Sequence, residues 1–367
     1  MNPKKTLLLL IDELGRGGAE ILFMDILPEL NQKYSVIAVI LSDKFETDFQ
    51  RMVCDKKYSL GFNGKFSIIP CLRKLKKIIK LHNPSLIHSH LFYSSLIARL
   101  ACPSNTPLIY SLHNEMSKDV FNNSRILKLL EKYTIKKNHL VIAVTDEVLI
   151  DYKNTIRKNI RSFVLKNYIS ADFFKTKIPA KDLNQLKEIR IVAVGNIKKQ
   201  KNYIYLVKAF QYLKNYSISL DIYGIEDEDF MNLNEEINRY KLSIVFKGPS
   251  DNINEVLSNY DMYVMCSLYE GFGIAVVEAM ALGLPLLLSD IPVLREVTFE
   301  NALFFDINNP QSFANLIEEV LEGKYNLNKL STEGIKIAKQ NYTKEIYLKN
   351  LFTIYDDILK LPNFPST

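Results

Sequence analysis

The sequence predicts two open α/β domains of similar size, each a doubly wound parallel sheet, facing one another across a cleft. Three observations carry that expectation. Apolar runs of strand length alternate with helix-period segments almost throughout, the pattern of repeated βα units. The alternation breaks once, over the polar stretch 170–189 that carries Pro179, which reads as a linker. A chain of 367 residues is also long enough for two ordinary domains.

In order, the strands are expected at 6–11, 36–41, 85–90, 107–112 and 139–144, then after the break at 191–195, 219–223, 243–247, 262–266, 284–289 and 302–305. Helical periodicity marks 19–33, 124–137, 202–214 and 311–323 between them. The first run, Lys4 to Ile11, mimics a signal peptide. Its apolar core is too short, and Asp12-Glu13 stands where small residues would be cleaved, so it reads as a buried strand. The stretch 324–360 is mostly helical and is expected to brace one domain on the other. The resulting division is 1–170, 171–345 and a terminal helix at 346–367 that crosses back.

Composition narrows the function classes. Hydrophobic residues make up 47% and charged residues 24%, the balance of a well-cored soluble protein. No window offers the roughly 18 uncharged apolar residues of a membrane span. The four cysteines, Cys54, Cys71, Cys102 and Cys266, show neither CxxC nor metal-ligand spacing, which fits a reduced, cytoplasmic chain. A net charge of +6 is too mild to argue for nucleic acid and is compatible with an anionic lipid or nucleotide.

The most informative stretch begins at Glu270-Gly271-Phe272-Gly273-Ile274 and runs to Pro285. Between Gly271 and Ser289 the one charged side chain is Glu278. An apolar segment opened by two glycines and closed by Gly283 and Pro285 reads as a short helix buried on all sides. A carboxylate there costs several kcal/mol unless hydrogen-bonded, so Glu278 needs a partner. Gly271 and Gly273 allow close backbone approach, and a helix N-terminus attracts phosphate. Two acids flanking an anion site suit a ligand with a charged middle and hydroxyls at both ends, as in a sugar nucleotide. For an isolated Glu, a structural role would be the stronger reading; the glycines and the second Glu reverse it.

Other segments are more equivocal. Gly15-Arg16-Gly17-Gly18-Ala19-Glu20 is a glycine-rich strand-to-helix turn suited to phosphate or sugar, but it is neither G-x-G-x-x-G nor a Walker A loop. His88, His90 and His113 fall at strand ends, where doubly wound domains place ligands. Each suits a structural role as well as chemistry, and no third zinc ligand stands at a recognisable spacing. Gly195 to Asn202 joins a buried strand to a helix, and its lysines suit either a diphosphate or solvent. The acidic run Glu226 to Asp229 contains Asp-x-Asp, a pattern compatible with Mg²⁺ but read here as a solvated loop. In 71–81, Leu72, Leu75, Ile78 and Ile79 form a stripe against Arg73, Lys74, Lys76, Lys77 and Lys80. Such a helix suits an anionic membrane or a solvated domain face equally, and 125–137 repeats the pattern.

Taken together, Glu270 and Glu278 (an E-x₇-E pair around Gly-Phe-Gly), Gly17-Gly18-Ala19-Glu20, and Gly195 to Lys201 resemble retaining glycosyltransferase family 4. The resemblance covers nearly the whole chain and implies the GT-B fold, two Rossmann-like domains. It also implies transfer of a sugar, with retention, from a nucleoside-diphosphate donor (UDP-linked) to a hydroxyl. The acceptor would be a glycan or lipid-linked glycan, in bacterial surface polysaccharide synthesis. By the same resemblance Gly17 and Gly18 approach the donor diphosphate, His113 contacts the transferred sugar, and Lys201 binds the diphosphate. Glu270 holds a donor-sugar hydroxyl, the backbone of Gly271, Phe272, Gly273 and Ile274 holds sugar and phosphate, and Glu278 takes the ribose. No metal or other cofactor is implied, and the expected location is cytoplasmic, peripheral at the inner membrane face. One departure stands out: Asn196 replaces the family's usual Arg, removing a forked cation. The competing readings are a GT-B sugar-nucleotide 2-epimerase and a non-catalytic carbohydrate- or membrane-binding relative.

Overall fold

The structure, a computed structural model, describes residues 3–15, 17–42, 49–122, 124–176, 182–186, 188–226 and 230–360. It divides into two compact units, Met1–Asn167 with Tyr347–Thr367, and Tyr168–Ile346. The first contains β1 (Thr6–Ile11), α1 (Gly18–Lys33), β2 (Ser35–Ile40), β3 (Lys56–Ser59), α2 (Ile68–His82), β4 (Leu86–His90) and α3 (Phe92–Ala101). It continues with β5 (Leu108–Leu112), α4 (Arg125–Thr134), β6 (His139–Ala143), α5 (Asp146–Thr155) and β7 (Ser162–Val164). The second unit contains α6 (Ala171–Lys175), β8 (Ile189–Val194), α7 (Tyr203–Phe210), β9 (Ile218–Tyr223), α8 (Phe230–Tyr240), β10 (Ile244–Gly248) and α9 (Ile253–Leu257). After these come β11 (Met262–Met265), α10 (Ile274–Ala281), β12 (Leu286–Ser289), α11 (Pro292–Thr298), β13 (Leu303–Phe305), α12 (Pro310–Leu321) and α13 (Leu327–Asn341). Helix α14 (Lys344–Lys360) closes the described chain and belongs to the first unit from Tyr347 onward.

Both sheets are parallel and share one winding. The first has the order β3-β2-β1-β4-β5-β6-β7, the second β10-β9-β8-β11-β12-β13. In each, strand order reverses beside the unit's first strand, between β1 and β4 and between β8 and β11. That reversal opens a crevice at the carboxyl ends of the strands, where such sheets bind ligands. Strands β4, β5, β6, β11 and β12 are buried at every residue, as parallel strands covered on both faces are, whereas the interior strands β8 and β9 expose Arg190 and Ser219.

Two strands that periodicity does not announce are β3 and β7. Both lie at sheet edges, are only partly buried, and read Lys-Lys-Tyr-Ser and Ser-Phe-Val. With one neighbour and partial cover, neither needs an apolar run. The expected linker at 170–189 contains α6 and reaches the first residue of β8. Ser170 caps α6 by accepting from Asp172 N–H at 3.3 Å, and residues 177–181 and 187 of that stretch, Pro179 among them, lie outside the described residues.

Helix α14 packs into the first unit through Tyr347, Leu351, Ile354, Tyr355 and Ile358, all buried. Tyr355 Oη meets His88 Nδ1 at 2.6 Å, and Lys33 pairs with Asp356 at 2.9 Å.

Helix α4 is folded inside out. Its one buried side chain is Glu131, while Ile126, Leu129, Leu130 and Tyr133 are 71%, 51%, 39% and 79% exposed. Inside, Glu131 pairs with the buried Arg99 guanidinium and accepts from Tyr152 Oη at 2.6 Å. Arg99 also donates to Thr134 Oγ1 at 2.9 Å, and its guanidinium lies 4.9 Å from the Tyr110 ring centroid. Removing one partner of a buried pair strands the other charge. Glu131→Ala is therefore expected to destabilise the chain by about 3–5 kcal/mol, read from urea unfolding against the parent.

Candidate active site

In the second unit, the switch point sets the loop after β8 beside the loop after β11. The first loop is shaped by a glycine contact. A Cβ on Gly224, at the end of β9, would lie 2.1 Å from the Gly195 carbonyl oxygen, so no side chain fits. Ile197 N–H donates to the Ile225 carbonyl at 3.0 Å, and Ile225 N–H donates to Asn196 Oδ1 at 3.2 Å. Asn196 is thus exposed but fastens two loops, a task for which an Arg has no acceptor atom.

From there the chain makes a short 3₁₀ turn over Lys199–Lys201, and Asn202 takes a left-handed conformation (φ 53°) before α7. The turn aims Lys201 at Glu270, Nζ to Oε1 2.7 Å, with both side chains largely buried. The same Oε1 accepts from Ser267 Oγ at 2.6 Å. Gln200 clasps the second loop through its carbonyl, accepting from Leu268 N–H at 2.8 Å, and its Nε2 donates to the Tyr269 carbonyl at 2.9 Å. Cys266 Sγ donates to the Lys201 carbonyl at 3.0 Å. Sequence reasoning does not single out Ser267 or Gln200, because the contacts that give them a role are 3 and 69 residues away.

Gly273, at φ 79°, starts α10; Gly271 and Phe272 are buried. The Phe272 ring stands edge-on to Tyr342, centroids 5.5 Å apart, so the ring is committed to packing. In the first turn of α10, Val276 and Val277 N–H donate to the Gly273 carbonyl at 2.9 and 3.4 Å, which leaves the Ile274 and Ala275 N–H groups without an intrahelical acceptor. The expectation that α10 is buried on all sides is corrected here: Ile274, Ala275 and Glu278 are only half-buried and share one face. Glu278 has no hydrogen-bond or ion-pair partner among the described residues. Burial pushes its carboxyl up to about 7. A half-open, desolvated, unpartnered acid one turn beyond Gly273 is poised to accept hydrogen bonds from a ligand.

In the first unit, the ends of β1, β4 and β5 bring together Asp12, His90 and His113. His90 Nδ1 meets His113 Nε2 at 3.1 Å, their rings stacked at 5.3 Å, and His88 lies 4.3 Å from His90 on the other side. His88 is held at both ring nitrogens, by Tyr355 and by Ser111 Oγ at 2.8 Å, which makes it structural. Burial lowers His113 to about 4, so it is neutral near pH 7 and offers a hydrogen bond rather than a charge. Asp12, which sequence reasoning passes over, accepts from Tyr93 and Ser94 N–H at 3.2 and 2.5 Å at the start of α3. Burial raises its carboxyl to about 6 against those bonds.

Gly17 precedes α1, exposed, and Gly18 is its first residue. Arg16 of that turn and the acids at 227–229 lie outside the described residues.

The glycosyl transferases group 1 family matches residues 174–339, and glycosyltransferase family 4 matches residues 16–172. EpsF of Bacillus subtilis (strain 168) is 26% identical over 321 residues, covering 79% of this chain and 80% of its own. An Escherichia coli protein, UDP-Gal:alpha-D-GlcNAc-diphosphoundecaprenol alpha-1,3-galactosyltransferase, is 24% identical over 305 residues, 76% of this chain and 78% of its own. Among solved structures, Anabaena HepE in complex with UDP and glucose shares the fold with a TM-score of 0.78 at 18% identity, over 96% of this chain and all (100%) of that one. Two doubly wound parallel sheets, an E-x₇-E loop set against a lysine, and family matches across both units lead to one assignment: the chain belongs to the group 1, family 4 glycosyltransferases and has the GT-B fold.

Proposed function

We propose that this glycosyltransferase moves a sugar from a UDP-linked donor to a hydroxyl of a glycan or lipid-linked glycan, with retention, in bacterial surface polysaccharide synthesis. The observation that carries the reading is the second-unit pair of acids: Glu270 held by Lys201 and Ser267, and Glu278 left without a partner. The E. coli relative named for a UDP-galactose donor and a lipid-diphosphate acceptor supports the same donor and acceptor classes.

In this reading the donor diphosphate lies between Lys201 and the N-terminus of α10, so developing negative charge is met by an ammonium and backbone N–H groups without a metal. Glu270 accepts from a hydroxyl of the transferred sugar and Glu278 from the ribose. His113, neutral, hydrogen-bonds the sugar. No carboxylate is assigned as a covalent nucleophile; the acceptor oxygen attacks on the leaving-group face. The C1–O bond to the diphosphate breaks as the new glycosidic bond forms, and the acceptor proton passes to the departing phosphate oxygen.

For a lipid-linked acceptor, α4 gives the first unit a face suited to a membrane, its exposed apolar side chains (Ile126, Leu129, Leu130, Tyr133) lying on one helix rather than scattered at its ends like Ile69 and Leu81 of α2. Helix α2 buries Cys71, Leu75, Ile78 and Ile79 and presents lysines outward, as a solvated surface helix does. Helix α4 instead exposes its apolar stripe with Arg125, Lys128 and Lys132 exposed beside it. Apolar side chains flanked by cations suit an anionic bilayer surface, and α4 is the contact we assign.

The defining experiment incubates the protein with a panel of sugar nucleotides and lipid-diphosphate glycans, and assigns the product anomer by NMR; donor hydrolysis or epimerisation without transfer refutes the reading. Lys201→Ala is expected to lower kcat by about 10²–10³-fold; an unchanged turnover removes it from the diphosphate. Glu278→Ala is expected to weaken sugar-nucleotide binding by about 10–100-fold in calorimetry. Because the ionised acid is the better acceptor and its pKa is raised to about 7, donor affinity should rise as pH goes from 6 to 8. Glu278→Gln should flatten that profile. A nucleotide sugar, not free UDP, is the probe, since a terminal phosphate titrates in the same range. Ile126→Ser with Leu129→Ser should release the protein from phosphatidylglycerol vesicles in flotation assays, more than charge reversal at Lys76 and Lys77.

A further inference from the structure

Strand β4 passes into α3 through a single residue, Leu91. Its φ is 70° and its ψ 174°, a region of backbone angles that is essentially reserved for glycine. Asn83, Asn202 and Phe299 also have positive φ, but their ψ values of 61°, 38° and 43° belong to the ordinary left-handed well. A leucine in the glycine region is strained, and such strain persists only where the surrounding structure over-determines it. Glycine at this position would be free of it. Leu91 and His113 border the same recess.

The bonds that over-determine Leu91 come from both sides of the reversal in strand order. Asp12, one residue beyond β1, accepts from Tyr93 N–H at 3.2 Å and Ser94 N–H at 2.5 Å. Ser94 Oγ donates to the His90 carbonyl, and Ser95 Oγ donates to the Leu91 carbonyl at 2.5 Å. Ser89 Oγ in turn donates to Ser95 Oγ at 3.0 Å. All three serines are buried. One capping side chain is enough to close the start of a helix, so capping alone accounts for neither the leucine nor the converging hydroxyls. What the junction holds still is the end of β4. His90 immediately precedes Leu91, is 0% exposed, and meets His113 Nε2 through its own Nδ1 at 3.1 Å. That contact depends on direction as well as distance, so the set of the His90 backbone governs the set of the His113 ring.

We propose that Asp12 is a positioning residue for sugar transfer, acting through the Leu91 junction and His90 to fix the His113 ring against the transferred sugar. The assignment rests on the sugar-transfer reading above, in which His113 touches the sugar and Asp12 touches no substrate. Asp12 reaches the junction from the neighbouring strand, so its carboxylate sets the start of α3 relative to the sheet. Ser94 adds the bond that pins the His90 carbonyl to the same turn.

Asp12→Asn keeps the shape and one acceptor oxygen but sets an amide NH₂ against a backbone N–H. At saturating donor and acceptor, and well below its unfolding midpoint, it is expected to lower kcat by about tenfold or more. Ser94→Ala frees the His90 carbonyl and should give the same loss; it stands in if Asp12→Asn does not fold. A double-mutant cycle then tests the route: in a His113→Ala background, Asp12→Asn should cost less than about twofold further. Histidine-selective NMR on the full chain reads the ring directly. The His113 signals should move in both variants while those of His139, on β6, stay in place. A plain helix cap would lower the unfolding midpoint and do none of this. An unchanged kcat, a comparable loss repeated in the His113→Ala background, or unmoved His113 signals each overturns the proposal. Absence of sugar transfer by the parent chain refutes the function reading separately, and the NMR comparison then decides whether Asp12 governs His113.

Discussion

The 2.7 Å contact between Lys201 and Glu270 is the constraint on which the candidate donor site depends. It joins the two loops that leave β8 and β11, the strands on either side of the reversal in strand order. Without a ligand the pair neutralises itself, and Ser267 donates to the same carboxylate oxygen. In the proposed reading, a diphosphate approaching Lys201 would offer a second anion to a lysine already oriented. The cation therefore needs no reorganisation when charge develops on the leaving group, which is the condition under which a point charge is most effective in catalysis. The resting ion pair holds the lysine side chain in place, and side-chain ordering is a cost that many ligand-binding cations meet only on binding.

Much of this was legible in the residues themselves. Continuous apolar runs located most of the central strands because a parallel strand covered on both faces favours apolar residues; β4, with His88, Ser89 and His90 buried, admits polar groups that find hydrogen-bond partners. Glu278 was conspicuous because one charge in a long apolar stretch demands an explanation. The sequence did not disclose that α10 leaves one face open, because the residues on that face, Ile274 and Ala275, are as apolar as those packed inward. Edge strands β3 and β7 escaped for the opposite reason: their partial burial relaxes composition. Asp12 escaped because its role, closing the start of α3, depends on N–H groups more than 80 residues away. Asn196 looked like a missing cation when compared with a family pattern; in the structure it is a fastener between loops.

The first unit shows how a fold can hold polar groups in unusual states with uncharged means. Three imidazoles lie ring to ring at the ends of β4 and β5, and burial keeps them neutral, joined at His88 and His90 by the repulsion of neighbouring imidazoles. Helix α4 reverses the usual arrangement in the other direction, sending an acid inward and aliphatic side chains outward. An inward glutamate persists because Arg99 and Tyr152 saturate it; the outward stripe then becomes a property of the surface and not a packing error.

The contact between Gly224 and the Gly195 carbonyl has a wider implication. Position 224 sits at the end of a different strand from the lysine it helps to place, and its own chemistry is nil. Yet the space for a single methyl is already taken by main chain, which cannot rotate away as a side chain would. In the sugar-transfer reading, donor preference can drift through the side chains around the loops, whereas the spacing between those loops is held by a glycine that no side chain can replace without moving main chain. Variation in such a pocket is thus channelled into what the loops carry and withheld from where they stand.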